Sequence, residues 1–261
     1  MTRPARWTYK GVETGLAEYH LSHWKWFSDF VNQEMLNFTS YVYRGHGCSN
    51  WKLAPTLDRV IPAPTSARRR EHLQQFQFSV RGRRGPNPAR IDTENDWWAL
   101  GQHHGLVTPL LDWTESPFVA LFFAAVNAAA SPGDACCVWG LYEPGVEKYS
   151  ARITANSLIH PINGRKPIVE MVRPLSDENG RLVNQRGLFS RSPDNITVDE
   201  WVRQHHDSGV DMYLINIVIP KMDIEDCLRY LNRMNINHAT LFPDILGASL
   251  HCNMDLTVDR Y

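Results

Sequence analysis

The sequence predicts an α+β fold, and three observations carry the prediction. Residues 117–130 form a strongly apolar helical segment, opened by Ser116 and Pro117 in the manner of an N-cap and a first-turn proline. Residues 212–219 read Met-Tyr-Leu-Ile-Asn-Ile-Val-Ile, an unbroken strand-forming run closed by Pro220. Strand and helix segments do not alternate regularly along the chain, which disfavours a doubly wound parallel sheet.

Each element has a local reason. Residues 14–36 read as a helix, because Trp24, Phe27, Phe30 and Val31 fall on one face at helical spacing, a stripe whose ordinary role is core packing. Residues 39–43 alternate as a strand, expected to break at Gly45. Gly45 and Gly47 flank His46, so the backbone there is free to approach a ligand or to turn tightly. Residues 92–101 form a short helix carrying Trp97 and Trp98. The helix over 117–130 should bury Phe118, Leu121, Phe122 and Ala125. Residues 135–142, with adjacent Cys136 and Cys137, read as a buried strand, and 168–172 as another. Asp223 is placed to cap a helix on which Ile224, Cys227, Leu228 and Leu231 fit the i, i+3, i+4, i+7 pattern. No internal repeat or low-complexity segment appears.

Composition narrows the class. The 261 residues suffice for a sizeable core, and 43% hydrophobic with 21% charged content is ordinary for a globular protein. A net charge of −1 exerts no global pull toward nucleic acid or membrane. The five cysteines show no C-x-x-C spacing, so neither a zinc site nor a disulfide framework is expected. No apolar run approaches the roughly 18 residues of a membrane span. The expectation is a cytoplasmic protein with reduced thiols, no membrane association and no metal.

One stretch departs from that neutral composition. Between residues 65 and 90 stand Arg68, Arg69, Arg70, Arg81, Arg83, Arg84 and Arg90 against a single acid, Glu71, with Phe76 and Phe78 between the clusters. Arginine interleaved with aromatics suits phosphate contact and base stacking. The alternative is the solvated face of a helix over 70–78. Gly85-Pro86-Asn87-Pro88 closes the stretch as a linker or flexible lid.

Residues 102–117, Gln-His-His-Gly-Leu-Val-Thr-Pro-Leu-Leu-Asp-Trp-Thr-Glu-Ser-Pro, concentrate hydrogen-bonding side chains just before an apolar helix, as a concave site built from a loop and a helix start requires. His103 and His104, if in a strand, point to opposite faces, so at most one reaches a given site. Either titrates near neutrality and can serve as acid or base. Asp112 is placed to orient a histidine or to cap a turn. No H-x-H or H-x-x-x-H spacing supports a metal. Ser116 is an ordinary N-cap, yet a helix N-terminus also attracts anions. Tyr41-Val42-Tyr43-Arg44-Gly45 plants an arginine at a strand end, where its fork of donors suits a phosphate or an ion pair. Gln185 fits either an amide facing a cleft or the approach to a turn at Gly187, with Phe189 in the core. P-loop, Rossmann and G-x-S-x-G patterns are absent.

Tyr43-Arg44-Gly45, Trp51-Lys52-Leu53, Pro55-Thr56-Leu57, the block from Gln102 to Ala124, the stretch from Arg181 to Phe189 and Leu241-Phe242-Pro243-Asp244 together resemble the FRG domain family, over residues 42 to 247. The resemblance implies a single FRG-type domain over residues 1–261, with an N-terminal helical segment near 14–36 and an arginine-rich insertion near 65–90. FRG domains in turn resemble the ADP-ribosyltransferase group. That implies split mixed β-sheets around a cleft flanked by helices, NAD as substrate, and Tyr43, Arg44 and Gly45 at its phosphates or ribose. One of His103 and His104, with Thr114 and Ser116, then positions the nicotinamide ribose, Gln185 recognises nicotinamide or the acceptor, and Asp112 is counted among the NAD-binding residues. The implied catalytic set is Arg44, His104 and Asp244. Gln185-Arg186-Gly187 puts glycine where the group has the glutamate of Gln-x-Glu, so the transition-state carboxylate falls to Asp244, with Asp112, Glu115 and Glu170 as alternatives.

The resemblance further implies a toxin or phage-defence effector of the toxin–antitoxin kind, restrained by an inhibitory protein partner. Its acceptor is a macromolecule, RNA ahead of protein on the arginine-rich stretch. Two other readings stand beside this one: a non-catalytic nucleotide or nucleic-acid binding module, and a metal-free ribonuclease using Arg44 with His103 or His104.

Overall fold

The computed structural model describes residues 5–174, 180–206 and 212–261. The chain opens with a hairpin, β1 (Trp7–Glu13) and β2 (Leu16–Leu21), joined by the two-residue loop Thr14-Gly15. Both loop residues have positive φ, 50° and 77°, the conformation that matches the twist of an antiparallel pair. The helix expected over 14–36 is therefore confined to its second half. Leu16, Ala17, Tyr19 and Leu21 are buried in a strand, and helical geometry begins only at Trp24, running through α1 (Phe27–Phe30). The Trp24, Phe27 and Phe30 stripe does pack into the core.

Then follow β3 (Tyr41–His46), α2 (Thr56–Val60), α3 (Ser66–Ser79), α4 (Glu94–His103), β4 (Leu110–Thr114), α5 (Pro117–Ala128), β5 (Ala135–Tyr142) and α6 (Glu143–Ala155). The described chain continues with β6 (Glu170–Val172), α7 (Gly180–Gln185), β7 (Gly187–Arg191), α8 (Val198–His205), β8 (Leu214–Pro220), α9 (Ile224–Arg233), α10 (His238–Leu241) and α11 (Ile245–Thr257). The α+β expectation holds. The strands form one mixed eight-stranded sheet in the order β1-β2-β8-β5-β3-β4-β7-β6, with β2 and β8 parallel and the other neighbours antiparallel. The split into two sheets is replaced by a seam inside a single sheet. The ladder between β3 and β5 has six register pairs, whereas β3 and β4 are paired only at Tyr43 and Thr114.

Both faces of the central strands are covered, so those strands read as continuous apolar runs rather than alternating ones. Cys136 and Val138 of β5 and Ile215, Ile217 and Ile219 of β8 pack with α5 and α9, while Cys137, Trp139, Leu141 and Leu214 face the opposite core with α6 and α8. A third cluster holds Leu73 of α3 and Trp98 of α4 against Leu110 and Phe189. Fully buried Trp98 and Trp201 each contribute ~4–6 kcal/mol of transfer free energy as an upper estimate. Their indole N–H groups donate to Glu94 at 3.1 Å and to the Pro167 carbonyl at 2.8 Å.

Two local expectations change. Strand β3 continues through Gly45 instead of breaking there, because Gly45 is the point where α5 crosses it. A Cβ at that position would lie 2.0 Å from the Ala120 carbonyl oxygen, so the missing side chain admits a helix rather than a ligand. Asp223 occupies the N-cap position of α9 in a left-handed conformation (φ 55°), and its side chain makes no capping bond; it meets His23 at 3.3 Å instead. Gly85-Pro86-Asn87-Pro88 lies in an exposed connection between α3 and α4.

Candidate functional site

Where the β3–β4 ladder stops, a cleft of about 340 Å³ opens. Its walls are Tyr43, Arg44 and Gly45 of β3, Asp112, Trp113 and Thr114 of β4, and Gln102 and His103 at the end of α4. Phe123 and Asn127 of α5, Arg181, Leu182 and Gln185 of α7, Phe189 of β7 and Phe242 complete it. A volume of this order, apolar walls and a few convergent polar groups are the usual make-up of a small-molecule site.

Arg44 crosses the seam. Its Nη1 donates to the Asp112 carbonyl at 2.8 Å and lies 3.4 Å from the Asp112 carboxylate, while its Nε donates to Nε2 of His46 at 3.0 Å. Burial lowers the Arg44 pKa and the Asp112 charge opposes that shift; a guanidinium stays charged at neutral pH in either case. His46 stands two residues along the same strand, hence on the same face. Burial first, and then the Arg44 charge, push the His46 pKa down to about 3, so its ring is neutral and free to accept from Arg44. The Arg44 side chain is 18% exposed and its partner Asp112 is 62% exposed toward the opening. The sequence reading passed over His46 as a site residue; the i, i+2 spacing from Arg44 on a strand was the available signal. Tyr43 is buried beside Arg44, and burial raises its phenol pKa to about 12.

Thr114 and Gln185 belong to one network. The Thr114 hydroxyl donates to the Gln185 carbonyl at 2.6 Å and accepts from the Ser116 N–H at 3.1 Å, which ties β4 to α7. The Gln185 amide donates to the Leu241 carbonyl at 3.0 Å, and among the described residues its Oε1 makes no hydrogen bond. The structure thus brings Tyr43, Arg44, Gly45, His103, Asp112, Thr114 and Gln185 to one cleft.

Three expected site residues stand elsewhere. His103 and His104 lie at the end of a helix, not in a strand. His103 lines the cleft, while His104 occupies the C-cap, exposed and off the lining. Burial, then His104 and Arg181, lower the His103 pKa, so its ring is neutral at pH 7. Ser116 caps α5 by accepting from Val119 and faces a separate groove with Asn184 and Arg186, so this helix start is not aimed at the cleft.

Asp244 stands just behind the cleft lining. It caps α11 by accepting from the Gly247 N–H at 2.9 Å and is bonded to Arg181 at 2.6 and 3.0 Å. The capping bond first, then Arg181, lower its pKa. Of the alternative acids, Glu115 is engaged by Arg186 at 2.8 Å and Glu170 by Arg165 at 2.8 Å, both off the cleft. Asp112 is the acid that lines it. Arg181, lying over the Phe242 ring at 5.1 Å, is a second cation in the wall; it belongs to a segment the sequence reading quoted without assigning it a role. Phe123 and Asn127 were hidden by helical periodicity, which marks residues as packing without saying what the far end of a face meets.

One stretch of the chain is similar to a known family. Residues 39–132 match the family model of the FRG domain. The matched segment supplies Arg44, His46, His103, Asp112 and Thr114, together with α5 that braces them. Arg181, Gln185 and Phe242 come from chain beyond it. No curated protein and no solved structure matches the chain. Among the described residues no helix is long and apolar enough to cross a membrane, and no three His, Cys, Asp or Glu side chains stand together as a metal site.

Proposed function

We propose that this chain is an ADP-ribosyltransferase-like enzyme that uses NAD as substrate and modifies a macromolecule. The observation that carries the reading is Arg44, fixed by His46 and Asp112 at the edge of a cleft that also presents Thr114, Gln185 and a neutral His103. An immobilised guanidinium suits a dinucleotide phosphate. The Gln185 Oε1 suits the carboxamide N–H of nicotinamide. In the proposed step the bond between the ribose C1′ and the nicotinamide nitrogen breaks and nicotinamide leaves. The cationic ADP-ribosyl group is captured by an acceptor nucleophile, whose proton passes to His103 or to water. Asp112 is the carboxylate on the cleft wall that would stabilise the developing charge. It takes the role that the sequence reading gave to Asp244, which supports Arg181 instead. Such an enzyme would harm its own cell, so a toxin or defence role with an inhibitory protein partner belongs to the same proposal.

One observation favours a second reading, a nucleotide-binding module without turnover: the position of the Gln-x-Glu glutamate is Gly187, packed under Leu182. Incubation with labelled NAD and a cell lysate, followed by separation of RNA and protein, distinguishes the two. Label in one fraction, lost in Arg44→Ala, is the expected result and names the acceptor class. NAD bound but unchanged establishes the module. RNA cleaved without NAD establishes a ribonuclease instead.

A further inference from the structure

We infer that α3, the connection after it and the start of α4 form a docking surface for single-stranded nucleic acid, which delivers the acceptor to the cleft. The link to the cleft rests on the transferase reading; the surface itself does not.

The three consecutive arginines at the start of α3 divide by role. Arg69 is buried and points inward, held by Asp58 at 2.6 Å and Asp194 at 3.3 Å. Arg68 and Arg70 are exposed and make no ion pair among the described residues, as is also true of Arg83. The outward arginines are therefore not needed to hold the fold. Arg70, Gln74 and Gln77 follow one another at i, i+4 and i+7, which places them in one row along α3, and Arg81 follows in the turn just beyond its end. From Arg70 to Gln77 that row is about 10 Å long.

Aromatic faces stand in the same surface. Phe78 is 60% exposed although Leu73 already supplies the buried side of α3, and the Arg81 guanidinium lies over the Phe78 ring at 4.7 Å. Arg84 lies over Trp97 of α4 at 5.4 Å. Glu71 is the one acid on α3 itself, and the acids at the start of α4 are occupied: Asp92 by Arg90 at 2.5 Å, Glu94 by Arg191 at 2.7 Å and Asp96 by Thr93. Guanidinium groups that neutralise phosphates, beside rings on which bases stack, are the recognition chemistry of an unpaired strand; a duplex hides its base faces. The surface also lies close to the cleft. Trp97 precedes His103 on α4, and the separation along the helix is about 9 Å.

The test is fluorescence anisotropy with a fluorescein-labelled 12-nucleotide RNA of mixed sequence and with the same sequence as a duplex, at 50 and 200 mM salt. The single strand is expected to bind more tightly than the duplex and to lose about tenfold in affinity between the two salt concentrations. Arg81→Glu with Arg83→Glu should cost about tenfold or more. Phe78→Ala should cost between about fivefold and a hundredfold. All variants should keep the thermal midpoint and the NAD affinity of the parent, because none of these positions lines the cleft. Absence of RNA binding, equal affinity for the duplex, or unchanged affinity in the charge-reversed variant would overturn the proposal. NAD affinity, measured by calorimetry on the same samples, reports separately on the transferase reading.

Discussion

His46 accepts a hydrogen bond from Arg44 Nε at 3.0 Å, and it does so because it is neutral. A buried charged imidazole beside a guanidinium would have no lone pair to offer and would repel it. The Arg44–His46 pair is thus a one-way arrangement in which the histidine fixes the arginine's plane and the arginine keeps the histidine unprotonated.

The first prediction follows from that pair. His46→Phe removes the acceptor for a charged donor, an interaction of ~1.5–3 kcal/mol. NAD affinity, read by calorimetry, should fall by about tenfold or more, whereas His46→Gln, which restores an acceptor oxygen, should recover most of it. Equal affinities for the two variants would mean that His46 does not position Arg44.

A second concerns pH. The folded pKa of His46 is about 3, and those of His103, His205 and His238 are also lowered. The unfolded chain takes up protons below about pH 6.5 that the folded chain refuses, so stability is full above that value and declines as pH falls. At pH 4.5 His46 alone accounts for ~3 kcal/mol if its ring stays neutral in the fold. Thermal midpoints measured from pH 7.5 to 4.5 should drop, with a shallower slope in His46→Gln.

Gly45→Ala should be among the most damaging small substitutions in the chain. The added Cβ would meet backbone atoms of Ala120 and Ala124 at 2.0 and 2.5 Å, and neither is able to swing aside. Displacing α5 from β3 should cost ~3 kcal/mol or more, in the range of severe overpacking. Denaturant titration by circular dichroism checks this.

The arginine triplet offers an internal contrast. Arg69→Ala leaves Asp58 and Asp194 buried without their cation, at a cost of ~3–5 kcal/mol. Arg68→Ala and Arg70→Ala, at exposed positions, should stay within ~0.5 kcal/mol of the parent. Three neighbouring substitutions compared in one chemical denaturation series suffice.

Asp112→Asn and Asp244→Asn separate the two carboxylates in catalysis. Asp112→Asn should lower kcat by about a hundredfold if it stabilises the ribosyl cation. Asp244→Asn keeps a capping oxygen for α11 and should act mainly on KM, through Arg181. A larger kcat loss at Asp244 would reverse the assignment.

Much of this was legible in the chain because it is local. Ser116-Pro117 and the apolar run behind it define α5, and the arginine after Tyr43 marks the cleft. What escaped was set by tertiary context. The apolar residues of 16–21 fit a helical stripe and a strand face alike, and only the Thr14-Gly15 turn decides between them. His103 faces the cleft and His104 does not because α4 runs two residues past its expected end, which puts the pair at a helix C-terminus instead of in a strand. Ser116 and Asp244 carry the residue types of a site and serve as helix caps, a use with an identical local signature. Arg181 reaches the cleft across more than a hundred residues of chain, a distance at which spacing carries no information.

The seam between β3 and β4 has a mechanical consequence. Ladders of six and seven rungs on one side and five on the other make two stiff plates. They meet at one rung, Tyr43 with Thr114, reinforced by a side chain, Arg44, rather than by further backbone. Flexing is cheapest along that line, so the width of the cleft follows the angle between the plates, and Arg44 is the tie across the fold line.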